Sequence, residues 1–314
     1  MKYLLISGLL LAGATLAQQP TAADMPQEMV WVDRTGKILS RVGAVQNSMF
    51  FPELSPDGKF IAVSARDGEV NDRDVWIHDV AKGTKRVVAS AKGNDNFPMW
   101  MPDGKSIVFT SSRGGNYELW RKPLDPDGPE AKLLTRPDTA EYPRAISPDG
   151  QTLYFTISGT SREAVTMLFS RLEPRSAFPP AGRAWRDGGQ YAPNGRYLAY
   201  HSNEEGPWEV YVCDARDPAR NWKVSRELAN GWAGGGGQVR WRADGKELFY
   251  IMGNDTMLSV EVDWSGDTPK FAAPKRLFAL PGMRGNFSEE APWLAKYAVA
   301  ADGQRFIFVR TVPK

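Results

Sequence analysis

Six short turns recur along this chain, and their spacing leaves few folds open. They are Pro56-Asp57-Gly58, Pro102-Asp103-Gly104, Pro148-Asp149-Gly150, Pro193-Asn194-Gly195, Ala243-Asp244-Gly245 and Ala301-Asp302-Gly303. Proline presets φ for a type I turn, and glycine accepts the positive φ that closes a three-residue hairpin loop. Each turn therefore joins two antiparallel strands. Successive glycines stand 46, 46, 45, 50 and 58 residues apart, close to the length of a four-stranded propeller blade, with insertions in the last two intervals.

The residues after each turn agree as well, which a common Asp-Gly dipeptide alone would not require. Three places after the glycine stand Ile61, Ile107, Leu153, Leu198, Leu248 and Phe306, and two further on Val63, Phe109, Phe155, Tyr200, Tyr250 and Phe308. Between them, facing the other way, stand Ala62, Val108, Tyr154, Ala199, Phe249 and Ile307. Successive side chains of a strand point to opposite faces, so both faces of these strands are apolar. A sheet with one wet face would alternate apolar and polar. These strands must be covered on both sides, as in a blade wedged between two others.

The expected fold is all-β: a six-bladed β-propeller of four-stranded antiparallel blades. Near the start, Met29-Val30-Trp31-Val32 and Lys37-Ile38-Leu39 flank a turn at Asp33-Arg34-Thr35-Gly36, and this hairpin has no partner nearby. Near the end, Tyr297 to Arg310 supplies only half a blade. Joining the two completes the sixth blade and closes the ring, which leaves no open sheet edge. The expected outer strands are Lys85 to Val88, Lys132 to Thr135 and Lys275 to Phe278. The stretch from Glu173-Pro174 to Gly182 reads as an irregular Pro-rich loop.

The first three copies, Phe51-Pro52-Glu53-Leu54-Ser55-Pro56-Asp57-Gly58-Lys59, Phe97-Pro98 to Lys105, and Tyr142-Pro143 to Gln151, resemble the WD-like repeats of TolB-like six-bladed propellers. The later copies drift, with Asn194 for Asp and Ala243 or Ala301 for Pro. The resemblance spans nearly all of the chain after residue 28. It implies a protein that binds protein or peptide partners, since family members typically do, and a place at the cell envelope, where the family's namesake works. No α/β segment like the one the namesake carries before its propeller is read here.

Residues 1–17 read as a secretory signal: Lys2, an apolar run through Leu11, then small residues ending Thr15-Leu16-Ala17. The run is short for a bilayer span, an uncleaved anchor being the alternative. No cysteine follows it for lipid attachment. Residues 18–28 are expected to be a loose leader and residues 29–314 a single propeller domain. The product is expected to be periplasmic or secreted, monomeric, and without a membrane span once the signal is removed. A formal charge of +2 with no basic block gives no footprint for nucleic acid. The one cysteine, Cys213, cannot form an internal bridge.

Chemistry is sparse. A hydrolase needs a nucleophile with an activating base, yet His78 and His201 are the 2 histidines and no Gly-x-Ser-x-Gly elbow exists, so both read as packing or surface residues. No cofactor and no metal site is expected. Asp125-Pro126-Asp127-Gly128 reads as a turn, and Gly234 to Gly237 as a flexible crossing without the Lys-Ser/Thr that cradles phosphate. The variable sequence lies in the loops of one disc face, where the crossings bring Asp95, Glu141, Arg186, Asp187, Trp232 and Arg284 toward the channel mouth beside Phe97 and Tyr142. Those eight form the expected binding face, although wedging between blades and plain solvation would account for the same residues. The first reading is a protein- or peptide-binding scaffold. The second is a periplasmic carbohydrate hydrolase or lyase using channel carboxylates, whose separation is a three-dimensional matter.

Overall fold

The computed structural model describes residues 25–67, 72–134, 136, 138–158, 162–177, 185–226, 236–253, 256–280 and 295–313. Residues 1–24, which hold the expected signal and most of the expected leader, lie outside them. The described residues form strands and turns with no helix, so among them no helix is long and apolar enough to cross a membrane. The chain starts with β1 (Pro26–Asp33) and β2 (Ile38–Leu54), and β2 continues into β3 (Phe60–Arg66), β4 (Asp74–Asp79) and β5 (Lys85–Ala89). Blade II is β6 (Asp95–Trp100), β7 (Ser106–Ser111), β8 (Glu118–Pro123) and β9 (Ala131–Leu134). Blade III is β10 (Ala140–Ile146), β11 (Thr152–Ser158), β12 (Arg162–Leu168) and β13 (Pro174–Ser176). Blade IV is β14 (Arg186–Tyr191), β15 (Tyr197–Ser202), β16 (Glu209–Asp214) and β17 (Asp217–Lys223). Blade V is β18 (Gly236–Trp241), β19 (Glu247–Met252) and β20 (Thr256–Asp263), with β21 (Lys270–Phe271) and β22 (Lys275–Ala279) both paired to β20. Finally β23 (Tyr297–Val299) and β24 (Arg305–Thr311) meet β1.

That last pairing completes the sixth blade. Val30 lies opposite Phe308 and Trp31 opposite Ile307 on β24, while β1 pairs on its other side with the first half of β2. The second half of β2 is the innermost strand of blade I. One unbroken strand thus serves two blades. The pairing starts at Pro26, earlier than the expected edge of the leader, and Glu28 is buried within it, its two carboxylate oxygens taken by Arg310 at 2.6 Å and Arg41 at 2.5 Å. The innermost strands touch in turn, β2 to β6 to β10 to β14 to β18 to β23 and back to β2.

The period-2 pattern sorts itself between neighbours. Ile61 and Val63 pack with Trp31, Ile307 and Val309 of blade VI, whereas Ala62 between them packs with Ile107 and Phe109 of blade II. Val108 turns the other way, toward Leu153 and Phe155, and Tyr154 toward Leu198 and Tyr200. Ala199 meets Leu248 and Tyr250, while Phe249 meets Phe306 and Phe308. Each apolar cluster straddles two blades.

The repeated turns owe their residues to local hydrogen bonds. The Asp57, Asp103, Asp149, Asp244 and Asp302 carboxylates each accept the backbone N–H two residues on, at 2.9 to 3.1 Å, and the Asn194 side-chain oxygen does the same at 3.0 Å. An acceptor oxygen is what the turn needs, so asparagine serves. The turn glycines stand at φ of 67 to 72°, a region open to glycine at little cost. A Cβ on Gly58 would meet nothing within 4 Å; conformation, not space, selects glycine there.

Two expectations need correction. The Pro-rich stretch after Glu173 is not wholly irregular, because Pro174–Ser176 is the outer strand of blade III, with Arg175 opposite Thr166. Gly236 and Gly237 belong to β18 rather than a flexible crossing. A Cβ on Gly236 would come within 2.9 Å of the Tyr250 ring, so close packing selects that glycine. The Asp125 to Gly128 segment is a turn as expected, with Gly128 N–H donating to Asp125 O at 3.0 Å.

Phe308 is fully buried between blades V and VI. Phe308→Ala should cost about 3–5 kcal/mol in urea unfolding followed by tryptophan fluorescence, while Val87→Ala on an exposed strand should change stability by less than about 0.5 kcal/mol.

Candidate functional site

Five of the six innermost strands carry a bulge at corresponding places next to the channel: register breaks fall between Phe50 and Glu53, Asn96 and Met99, Pro143 and Ala145, Asp187 and Gln190, and Gly237 and Arg240. A bulge re-aims side chains and tightens the local twist. At these bulges Phe51, Phe97, Gly188 and Gln238 adopt φ of 55, 56, 64 and 56°. For a bulky aromatic residue that is a strained conformation, costing of order 1–3 kcal/mol. Gly188 fills the slot without strain, and it must be glycine for a second reason: a Cβ there would lie 2.0 Å from the His201 ring.

The strain aims aromatic rings into a common wall. Phe51 stacks on Phe97 with centroids 3.9 Å apart, Phe97 tilts against Tyr142 at 5.1 Å, and Tyr142 against Tyr117 at 5.7 Å. Behind them Arg144 places its guanidinium 4.9 Å from the Phe97 centroid and 5.6 Å from that of Tyr142. Its Nε meets Asp187 Oδ1 at 2.6 Å and donates to Thr156 Oγ1 at 3.1 Å. These residues, with Phe50, Arg73, Asn96, Trp185 and Arg186, line a cavity of about 310 Å³ on the crossing-loop face. Deeper in the channel a smaller space of about 40 Å³ is lined by Glu53, His201, Gln238 and Arg240. Burial pushes the Glu53 carboxyl up, and Arg240 at 3.3 Å pulls it back.

Of the expected face, Phe97, Tyr142, Arg186 and Asp187 come together in this cavity. Asp95 and Glu141 do not. Both are fully buried; Asp95 accepts Ala91 N–H at 3.0 Å and Glu141 accepts the Thr139 hydroxyl at 2.9 Å, so they hold crossings in place rather than face solvent. Trp232 and Arg284 lie outside the described residues. The sequence reading missed Arg144, which stands six residues before its turn glycine, the place held by Pro52 and Pro98 in the first two copies. That departure was the available signal. It also missed Phe51 and Arg73.

Both histidines are buried and neutral in role. His78 Nδ1 accepts Ala44 N–H at 3.1 Å, and burial lowers its pKa to about 4. His201 is fully buried edge-on to Trp208, and burial likewise lowers it to about 4. Among the described residues there is no group of three or more His, Cys, Asp or Glu able to hold a metal. Burial raises the Cys213 thiol to about 12.

The family model of the TolB beta propeller domain matches residues 25–176, and the chain is a TolB-like β-propeller. Among curated proteins, it is 30% identical over 135 residues to the Tol-Pal system protein TolB of Francisella tularensis, covering 43% of this chain and 30% of that one. An uncharacterized protein of Agrobacterium fabrum is 30% identical over 102 residues, 32% of this chain and 33% of the relative. The matches thus span about a third of these relatives' length. Among solved structures, one assigned as TolB from Agrobacterium tumefaciens superposes with a TM-score of 0.64 at 16% identity, covering 93% of this chain and 100% of the other. An oligogalacturonate lyase in complex with manganese gives 0.54 at 12% identity, covering 81% and 75%. At such identities the likeness is one of fold.

Two outcomes follow from the strain and from Glu141. Phe97→Gly should be more stable than Phe97→Ala by ~1 kcal/mol, measured by urea unfolding, since both lose the ring but the φ of 56° strains only alanine. Burial raises the Glu141 pKa from 4.5 to about 7. The folded state holds this proton more tightly, so the stabilisation is complete below pH 4.5 and is lost as pH rises through about 7. Glu141→Gln should remove that loss, gaining on the order of 2–3 kcal/mol over the wild type above pH 7, read from urea midpoints across pH.

Proposed function

We propose that this chain is an exported protein- or peptide-binding scaffold of the cell envelope, which engages its partner with the aromatic mouth on the crossing-loop face. The observation that carries this reading is the composition of the cavity: a wall of aromatic rings and three arginines, with Asp187 the one carboxylate among its lining residues, already engaged by Arg144. Aromatic and arginine side chains are what interface hot spots favour. The curated likeness to Tol-Pal system proteins supports a role at the envelope.

The carbohydrate hydrolase or lyase reading asks for paired carboxylates facing a substrate. Of the carboxyl groups raised by burial, Asp74 (to about 6), Glu141 (to about 7) and Asp95 are not among the cavity's lining residues, and Glu53, which lines the smaller space in the channel, is paired with Arg240 at 3.3 Å. Arginine and aromatic residues dominate where a substrate would sit, which favours binding over turnover.

A photo-crosslinking residue in place of Tyr117, in the expressed full chain, should capture an envelope protein, and one in place of Gln304 on the opposite disc face should not. Phe97→Ala combined with Tyr142→Ala should reduce copurification of that partner more than about tenfold. Turnover of a glycan panel with no retained partner would refute the proposal.

A further inference from the structure

The cavity's arginines are not equally matched. Arg144 has Asp187 at 2.6 Å and Arg186 has Glu204 at 2.5 Å, while deeper in the channel Arg240 has Glu53 at 3.3 Å. Arg73 lines the same cavity and, among the described residues, makes no ion pair. Its Nε donates to Ser48 Oγ at 2.9 Å and its guanidinium lies 5.1 Å from the Phe50 centroid, which leaves both terminal nitrogens uncommitted. Burial and then Arg66 lower its pKa, and Tyr117 raises it.

A second cation shares the Phe50 ring. Lys296 is buried, donates to Met49 O at 3.0 Å and lies 3.7 Å from the Phe50 centroid. Burial and then Arg73 lower its pKa to about 7. Among the described residues, this end of the cavity therefore holds half-buried positive charge with no carboxylate paired to it. A guanidinium keeps its charge at any physiological pH and presents a planar fork suited to a carboxylate.

We infer that the mouth takes an acidic peptide, seating a side-chain carboxylate on the Arg73 guanidinium with a neighbouring aromatic residue against Phe97 and Tyr142. This rests on the peptide-binding reading and adds the charge of the ligand to it. The spacing of a cation beside a ring wall within one cavity is what selects a carboxylate next to a ring, and the same unbalanced charge steers anionic partners toward this face.

The test uses the full chain and two capped hexapeptides carrying a neutral dye, Gly-Ser-Tyr-Glu-Ser-Gly and its Tyr-Gln twin, with fluorescence polarisation as readout. The Glu peptide should bind about tenfold tighter than its twin, a difference of one charge-assisted contact, and the gap should shrink at high salt. Arg73→Gln should close the gap by weakening the Glu peptide toward its twin; Arg73→Lys should restore part of it. Twins that bind the wild type equally, or a gap that survives Arg73→Gln, would overturn the carboxylate seat while leaving peptide binding intact. If neither twin binds and an acidic oligosaccharide does, the inference is wrong, and the loss of partner capture in the crosslinking experiment would show whether the binding reading falls with it.

Discussion

The structure depends on sheets that have no wet face. Every second strand, from Ile61-Ala62-Val63 in blade I to Phe306-Ile307-Phe308 in blade VI, presents apolar side chains to both sides. A blade alone would expose one or both of these surfaces, so its stability comes from its neighbours, and the demand passes around the disc until it returns to its start. The six apolar clusters lie between blades rather than within them. Closure through β1 and β24 is therefore part of the same requirement, not an addition to it.

The channel is where that regularity is spent on something other than stability. Bulges at equivalent places swing Phe51 and Phe97 into left-handed backbone, at φ of 55 and 56°, where blade IV simply uses Gly188. Strained residues persist when the surroundings over-determine them. Here the Phe97 N–H is held by Ser64 Oγ at 3.1 Å and the Phe51 N–H by Ala295 O at 2.8 Å, each across a blade boundary. The scaffold thus fixes the rings that the mouth presents.

Much of the fold was legible because its determinants are local and repeated: a turn chemistry, a strand period, and a count between glycines. Legibility failed where a determinant was neither. That β2 runs through Leu54 without a break depends on its partners on both sides, β1 and β3, which no local pattern announces. The three-residue outer strand Pro174–Ser176 is too short for a period to show. In the site, aromatic residues before proline were readable as Phe97 and Tyr142, whereas burial of Asp95 and Glu141 and exposure of Arg73 are set by packing between blades. Arg144 was hidden by one extra residue in the third copy, which places Tyr142-Pro143 a step earlier relative to its glycine than Phe97-Pro98.

The pairing of Val30 with Phe308 sets an order of events. Of this pair β1 is made long before β24, so during synthesis the hairpin of β1 and β2 has one edge unpaired while the intervening blades assemble. Long-range pairing of this kind is slow and leaves an edge open to wrong partners. For this chain, reaching the native ring is a matter of keeping that first edge occupied or apart until the C-terminal residues arrive.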